Sequence, residues 1–477
     1  MTLGDSIAGQ ADAGGRWTLG NEVACDSPVP LAYTESRPLT AYPAPTSADA
    51  GAIEHGGIAL VGGRLFWTTP GGGVAWAGLN DAAAGTLDVT VVQGFSIADL
   101  DGDGAPDLLL SGVEMYVVWD AGEGDPVPVR LPGEQAGYVH RDATALDLDA
   151  DGDLDVVSGR SSADADLPPI ATVLENLGGR RFADPKEVAP ATADFWGQTF
   201  DIAAADADAD GDLDVYLCND LGDQQAPNGL LIQDEGVLKP AVDAHGLDVR
   251  MNCMSAAWAD VDGNGRLDAV VSDVLRPYLL LNNGAVYADA SDALIGMRFK
   301  LPEMIWSLVP ADVDNDAAID LLMTVGDFWR LPVTQYRSRL YRQDLDGTFG
   351  DLPLLPTAAS TRGLIARDLN GDGALDLIVG DALTTPHVLM ANGCSDAAWL
   401  EVEAPSGSLV TIEAANLSRT ALATSESGFA SAGPSVAHFG LGDAGEVARI
   451  AIRAPEQPEV SLDGPITVNR VVRWASP

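Results

Sequence analysis

Apolar residues in this chain fall in short, strand-length runs, each set off by clusters of Asp, Gly and Asn. Six of the runs are Leu108 to Leu110, Val156 to Ser158, Val215 to Leu217, Ala269 to Val271, Leu321 to Met323 and Leu377 to Val379. Such runs between turn residues predict β-strands. A strand of smaller residues precedes the turn, as in Ser255 to Ala259. A third strand ends in an Asn turn, as in Tyr278 to Asn283, and a fourth begins near Val286. The third-strand turn recurs at Val173 to Gly179 and Val388 to Gly393. No run approaches the roughly 20 apolar residues of a bilayer-crossing helix, so no membrane span is expected.

The turn between the first two strands repeats one nine-residue pattern. Oxygen-bearing side chains stand at positions 1, 3, 5 and 9 of all six copies. These are Asp99, Asp101, Asp103, Asp107; Asp147, Asp149, Asp151, Asp155; and Asp206, Asp208, Asp210, Asp214. They continue with Asp260, Asp262, Asn264, Asp268; Asp312, Asp314, Asp316, Asp320; and Asp368, Asn370, Asp372, Asp376. Position 6 is Gly except for Ala317 in the fifth copy. Carboxylates this dense require a compensating cation. Alternate positions on a tight turn aim several oxygens at one point, which suits Ca²⁺ with its 6–8 oxygen ligands. The carbonyl at position 7 is the expected further ligand: Ala105, Asp153, Asp212, Arg266, Ala318 and Ala374. Five to six calcium ions are therefore expected. An EF-hand would close with Glu at position 12, whereas here that position is Leu110, Ser158, Leu217, Val271, Met323 and Val379, so the loops join strands instead.

The copies start at residues 99, 147, 206, 260, 312 and 368, a period near 50 with several strands per unit. That signals an all-β chain built as a β-propeller. Residues 53–92 read as a degenerate blade without a loop (Ile58 to Val61, Arg64 to Trp67, Val89 to Val92). Seven blades are then expected, with six the alternative. The predicted organisation is an irregular leader over 1–50, the propeller over 51–397 and a small β-sandwich-like domain over 398–477.

Composition narrows the function. Of 477 residues, 26 are Lys or Arg and 71 are Asp or Glu, a formal net charge of −45. Nucleic acid is excluded as a partner, because its phosphates require a basic face. With 46% hydrophobic and 20% charged residues, the chain can still bury a large core. Six calcium ions would leave about −33. The four cysteines lack CxxC spacing. They read either as small buried apolar residues or as two bridges, Cys25 with Cys394 and Cys218 with Cys253.

The six loops with their flanking strands and Asn-Gly turns resemble FG-GAP/VCBS repeats, the calcium-binding blades of integrin-α-type propellers, over roughly residues 95–395. The segments Trp399 to Glu403, Ser427 to Ala432, His438 to Gly442 and Val447 to Arg453 resemble the ASPIC/UnbV module that follows such propellers in the cartilage acidic protein-like family. The polar insertion of that module is compressed here to Pro405 to Ser408. His438 is expected to be packed or hydrogen-bonded.

In a propeller the strand before each loop lines the central channel, so its first residues open on the face opposite the metals. There lie Phe95, His140, Arg141, Trp196, Gln198, Phe200, Asn252, Trp306 and Arg362. Aromatics with a few polar groups describe a small-ligand site. The bland alternative is that the aromatics pack between blades. The expected function is a calcium-stabilised binding or adhesion protein for a glycan or protein ligand, secreted or at the cell surface or in the periplasm. No signal peptide is visible at the N-terminus. The alternative is a non-redox enzyme of lyase, epimerase or cyclase type using His140 and Arg141 at the channel mouth.

Overall fold

The computed structural model describes residues 16–23, 25, 32–35, 56–69, 71–80, 83–133, 137–162, 171–188, 197–222, 224–241, 244–294, 296–327, 336–344, 346–353, 360–382, 384–392, 397–415 and 417–475. Alternation of apolar and polar residues is realised throughout as strands, with a single 3₁₀ turn at Ser291–Leu294 among the described residues.

Six separate four-stranded antiparallel sheets form the blades of a propeller. The innermost strands, in chain order of blades 1 to 6, are Val92–Ala98, Tyr138–Leu146, Gln198–Ala205, Cys253–Ala259, Met304–Ala311 and Thr361–Arg367. Each runs into its acidic loop and returns as the second strand: Asp107–Gly112, Asp155–Ser162, Asp214–Asp220, Asp268–Asp273, Asp320–Gly326 and Asp376–Asp381. Blade 6 takes its outermost strand, Tyr33–Glu35, from the N-terminal region.

The expected seventh blade is not a sheet of its own. Residues 58–87 do make four antiparallel strands, Ile58–Val61, Arg64–Thr68, Val74–Gly78 and Ala84–Leu87. A parallel pairing of Ala59 with Ala432, however, merges them into a twelve-stranded sheet with the C-terminal strands. Val92 belongs to blade 1 and not to a fourth strand here. One face of this run packs against blade 1 through Val61, Phe66 and Trp76. The other packs against blade 6 through Ile58, Leu65 and Trp67 beside Ile365 and Ile378.

Every innermost strand carries a β-bulge near its start. The register slips between Val92 and Gly94, His140 and Asp142, Thr199 and Asp201, Cys253 and Ser255, Ile305 and Leu308, and Thr361 and Leu364. A bulge re-aims the unpaired residue. Arg141, Phe200, Met254, Trp306 and Arg362 thereby form a girdle. Arg141 lies over Phe200 at 4.7 Å and Arg362 over Trp306 at 3.7 Å.

The C-terminal strands surround a core that includes Leu400, Val402, Ile412, Phe439, Ile450 and Trp474. The N-terminal strand Arg16–Leu19 pairs with Arg470–Ala475 on the same sheet. Two of these strands, Leu417–Glu426 and Ala432–Gly442, make a hairpin whose tip enters the propeller channel. Ser425 Oγ donates to Ile97 O of blade 1 (2.8 Å) and Ser427 Oγ to Leu364 O of blade 6 (2.9 Å). Thr144 of blade 2 and the Ala204 N–H of blade 3 donate to Glu426 (2.7 and 3.2 Å). Phe429 N donates to Ser307 Oγ of blade 5 (2.8 Å). Phe429 itself is buried among Phe200, Met254, Met304 and Trp306, edge-on to the last at 5.0 Å. Gly428 turns with φ +59°, and a Cβ there would lie 2.8 Å from Ser307 Cβ.

Cys218 and Cys253 are disulfide-bonded, stapling blade 3 to blade 4. Cys25 is also in a disulfide, and Cys394 lies outside the described residues.

Replacing Phe429 by Ala removes the largest apolar group of the hairpin tip and is expected to cost about 3–5 kcal/mol. Chemical denaturation of the full chain checks this, and an unchanged midpoint would mean the hairpin tip bears no load.

Candidate metal centre

The acidic loops share one internal wiring. The position-9 carboxylate accepts one N–H from position 2 of its own loop and another from a residue in or beside the third strand. In blade 4 Asp268 accepts from Val261 (2.9 Å) and Asn282 (2.7 Å), and in blade 5 Asp320 accepts from Val313 (3.1 Å) and Gln343 (2.8 Å). Asp107, Asp155, Asp214 and Asp376 repeat the arrangement with Leu100 and Asp120, Leu148 and Asn176, Ala207 and Gln233, and Leu369 and Ala391. All six of these carboxylates are buried. Position 9 is therefore a backbone clamp as well as a candidate ligand.

Position 5 accepts the N–H of position 7 in every loop, at 2.9–3.0 Å. Position 1 accepts the position-6 N–H in five of them: Gly104, Gly152, Gly265, Ala317 and Gly373. The turn requires left-handed backbone at position 4 as well as at position 6. Position 4 is Gly102, Ala150, Ala209, Gly263, Asn315 and Gly371, all with positive φ. Ala317 holds φ +72° at position 6, a conformation that costs an L-residue about 1–2 kcal/mol. Sequence reading found the Gly at position 6 but missed the demand at position 4, which Ala and Asn conceal.

Five loops bring three carboxylates within 4.8 Å of one another. In loops 2, 3 and 5 these are positions 1, 3 and 5; in loops 1 and 4 they are positions 1, 3 and 9. Loop 6, with Asn370, carries the same turn hydrogen bonds. Asp206 Oδ1 and Asp260 Oδ1 are buried with no hydrogen-bond partner, as an oxygen kept for a cation would be. An all-oxygen donor set with orphaned buried oxygens fits a hard divalent ion such as Ca²⁺. Desolvation, reinforced by Asp320, Asp314 and Asp316, pushes the Asp312 carboxyl well above its ordinary range. Desolvation first, and neighbouring loop acids after it, raise Asp268, Asp320 and Asp376 to about 7.

Three loops also carry guanidinium counter-charge. Arg180 pairs with Asp101, Asp103 and Asp120, Arg342 with Asp314 and Asp316, and Arg453 with Asp206 at 3.2 Å. Arg453 comes from the C-terminal strands, which sit on this face. Arg419 Nε donates to Ala317 O (2.9 Å), Gly442 N to Asn315 O (2.9 Å) and Glu456 N to Gly211 O (3.1 Å). His438 stacks on Trp399 and hydrogen-bonds Asn315 Oδ1 at 2.8 Å.

On the opposite face, Phe95, Trp306 and Arg362 are buried. Arg362 donates to Ser360 and to Asp327 O. Phe200 packs on the hairpin tip. His140 is buried, its Nδ1 2.7 Å from Ser158 Oγ, and desolvation, then Arg160, lowers it to about 4. The bulge separates it from Asp142, which faces blade 3 through Ile202 N, so the two do not form an acid–base pair. Arg141, Gln198 and Asn252 remain partly exposed. Arg141 donates to Ser161 Oγ (2.6 Å) and Gln93 Oε1 (3.3 Å), and Gln198 accepts from Ser162 N (2.9 Å). Trp196 lies outside the described residues.

Residues 147–217, which span loops 2 and 3, match the FG-GAP-like repeat family. Residues 403–473 match ASPIC and UnbV, and this match includes the channel hairpin. The chain joins a repeat propeller to that module. No curated protein matches it. Among solved structures it is similar to an Agrocybe aegerita lectin described as recognising non-reducing terminal N-acetylglucosamine (16% identity, TM-score 0.41, covering 71% of this chain and 90% of that one). It is also similar to BBS1N in complex with ARL6DN (11% identity, TM-score 0.48, 76% and 98% covered) and to YCF48 bound to D1 peptide (7% identity, TM-score 0.43, 79% and 98% covered). Likenesses this distant say nothing of what this chain binds.

Clamp and ligand roles are separable by mutation. Asp268→Ala strands two backbone N–H groups and is expected to cost roughly 2–5 kcal/mol with or without calcium. Asp262→Ala is expected to lower stability only when calcium is present. Denaturation of both variants in calcium and in chelator checks this, and equal behaviour of the two would refute the distinction.

Proposed function

We propose that this chain is a calcium-stabilised binding or adhesion protein of extracellular type, secreted, periplasmic or held at the cell surface. The observation that carries the reading is the sixfold repetition of one loop geometry, with orphaned carboxylate oxygens on Asp206 and Asp260. Residues repeated for catalysis would differ from blade to blade, whereas residues repeated for a cation need not. Loops of this kind suit the millimolar calcium found outside cells. The Cys218–Cys253 disulfide supports an oxidising compartment.

The ligand in this reading is a glycan or a protein held at the face opposite the loops. Arg141, Gln198 and Asn252 would meet it, with Phe95, His140, Phe200, Trp306 and Arg362 as the packed layer beneath. Arg141 supplies a planar donor suited to a carboxylate or sulfate group. The run over 58–87 packs between blades 1 and 6 through its apolar contacts with both. In the same reading, the C-terminal strands are a small sandwich, and the whole is of the cartilage acidic protein-like kind.

Metal analysis of the full chain is expected to find five or six bound Ca²⁺. Each site held at a hundredfold excess over its Kd adds about 2.7 kcal/mol, so chelation should lower the melting temperature strongly. Because Asp268, Asp320 and Asp376 stand near 7 without metal, calcium displaces protons there, and its affinity should weaken from pH 8 to pH 6. Absence of bound metal and of any chelator shift would sink the calcium reading. For the ligand, Arg141→Ala should abolish retention on a panel of sulfated and uronic-acid glycans while leaving the calcium count unchanged; wild-type protein that binds neither glycans nor cell-surface protein would overturn it.

A further inference from the structure

Where the C-terminal hairpin passes blades 2 and 3, three carboxyl groups from three different elements border one cavity of about 120 Å³. Asp142 and Asp201 come from the innermost strands of blades 2 and 3, and Glu426 comes from the hairpin. Asp142 and Asp201 are almost fully buried, and both border this cavity together with Glu426. One oxygen of each is already an acceptor: Ile202 N donates to Asp142 Oδ2 (3.2 Å) and Ala256 N to Asp201 Oδ2 (2.8 Å). With Asp142 and Asp201 buried and Glu426 bordering the same cavity, keeping all three ionised is costly, so the trio holds protons while the hairpin is seated. Both oxygens of Glu426 likewise accept, from Thr144 and Ala204.

Other charged groups bordering the same cavity do not neutralise the trio. Arg367, from blade 6, spends its guanidinium on the carbonyls of Pro434, Ala366 and Thr424. His438 is engaged with Asn315. Asp260 and Asp312 belong to the calcium loops at the far end of the cavity and add only negative charge. Arg141, adjacent in sequence to Asp142, is directed to Ser161 and Gln93.

We propose that seating of the hairpin in the channel is proton-linked: it is held while Asp142, Asp201 and Glu426 share protons, and it loosens when they ionise together. Desolvation raises all three groups, Glu426 to about 8, Asp142 to about 6 and Asp201 well above its ordinary range, and repulsion from Asp142 adds to it at Asp201 and Glu426. A carboxyl raised by folding stabilises fully below its ordinary value near 4 and loses that contribution as pH climbs through the raised one. The hairpin is therefore tightest in mild acid and loosest above pH 8, opposite in sign to the calcium dependence of the loops.

Hydrogen exchange of the full chain at fixed saturating calcium tests this, with rates corrected for intrinsic exchange. The opening constant of the 417–442 hairpin should rise from pH 6 to pH 8, tenfold per pH unit for each proton released, while the Val74–Gly78 strand, which carries no titratable side chain, serves as an unchanging reference. Glu426→Gln should flatten the slope, and Asp142→Asn should do so independently if the first variant folds poorly. Phe429→Ala should speed exchange at every pH with the wild-type slope retained. A wild-type hairpin whose corrected exchange ignores pH would overturn the proposal, as would a Glu426→Gln protein that keeps the full slope.

Discussion

The structure depends on how the centre of the ring is filled. Innermost strands converge on an axis, and each is bulged, so unpaired backbone and side-chain groups face the channel. Here the tip of one hairpin answers them. Ser425, Glu426, Ser427 and Phe429 reach blades 1, 2, 3, 5 and 6 within a few residues. Buried polar groups cost free energy unless paired, so this hub converts five separate innermost strands into one connected network. The aromatic girdle is apolar where the tip is apolar, and it closes around Phe429 in place of water.

Charge imposes the second constraint. Six acidic turns on one face would repel each other and strain their own backbones. Two devices answer this without any ion. The position-9 carboxylates spend their oxygens on backbone N–H groups, turning charge into loop closure, and Arg180, Arg342 and Arg453 place guanidinium against three loops. What remains at positions 1, 3 and 5 is a surplus of clustered oxygen that could hold a metal ion. The C-terminal strands grip this same face through Arg419, Arg453 and His438. The candidate metal loops and the docking contacts of the module are therefore physically adjacent.

The two ends of the channel differ in consequence. The loop face is covered by the module, and the opposite end is sealed from inside by Phe429, with Arg141, Gln198 and Asn252 partly exposed there among the described residues.

The repeating Asp positions were legible in the sequence because metal-loop geometry is local: nine residues suffice to place positions 1, 3, 5 and 9, and the strands around them follow from the apolar runs. Local periodicity likewise revealed the propeller, while the Cys218–Cys253 bridge was one of two readings left open for the cysteines. The double duty of Asp268 and its equivalents was hidden, since its second partner, Asn282, is set by a neighbouring strand. Phe200, Trp306 and Arg362 were visible as unusual residues, but a bulge and a distant Phe429 decided that they line a plugged channel. Likewise Ala59 pairs with Ala432, so a run that alternates like a blade joined another sheet. Sequence alone determined the strands and the acidic turns, because those rest on contacts within a few residues. Tertiary structure alone decided what fills the axis, because that contact spans hundreds of residues and leaves no periodic trace.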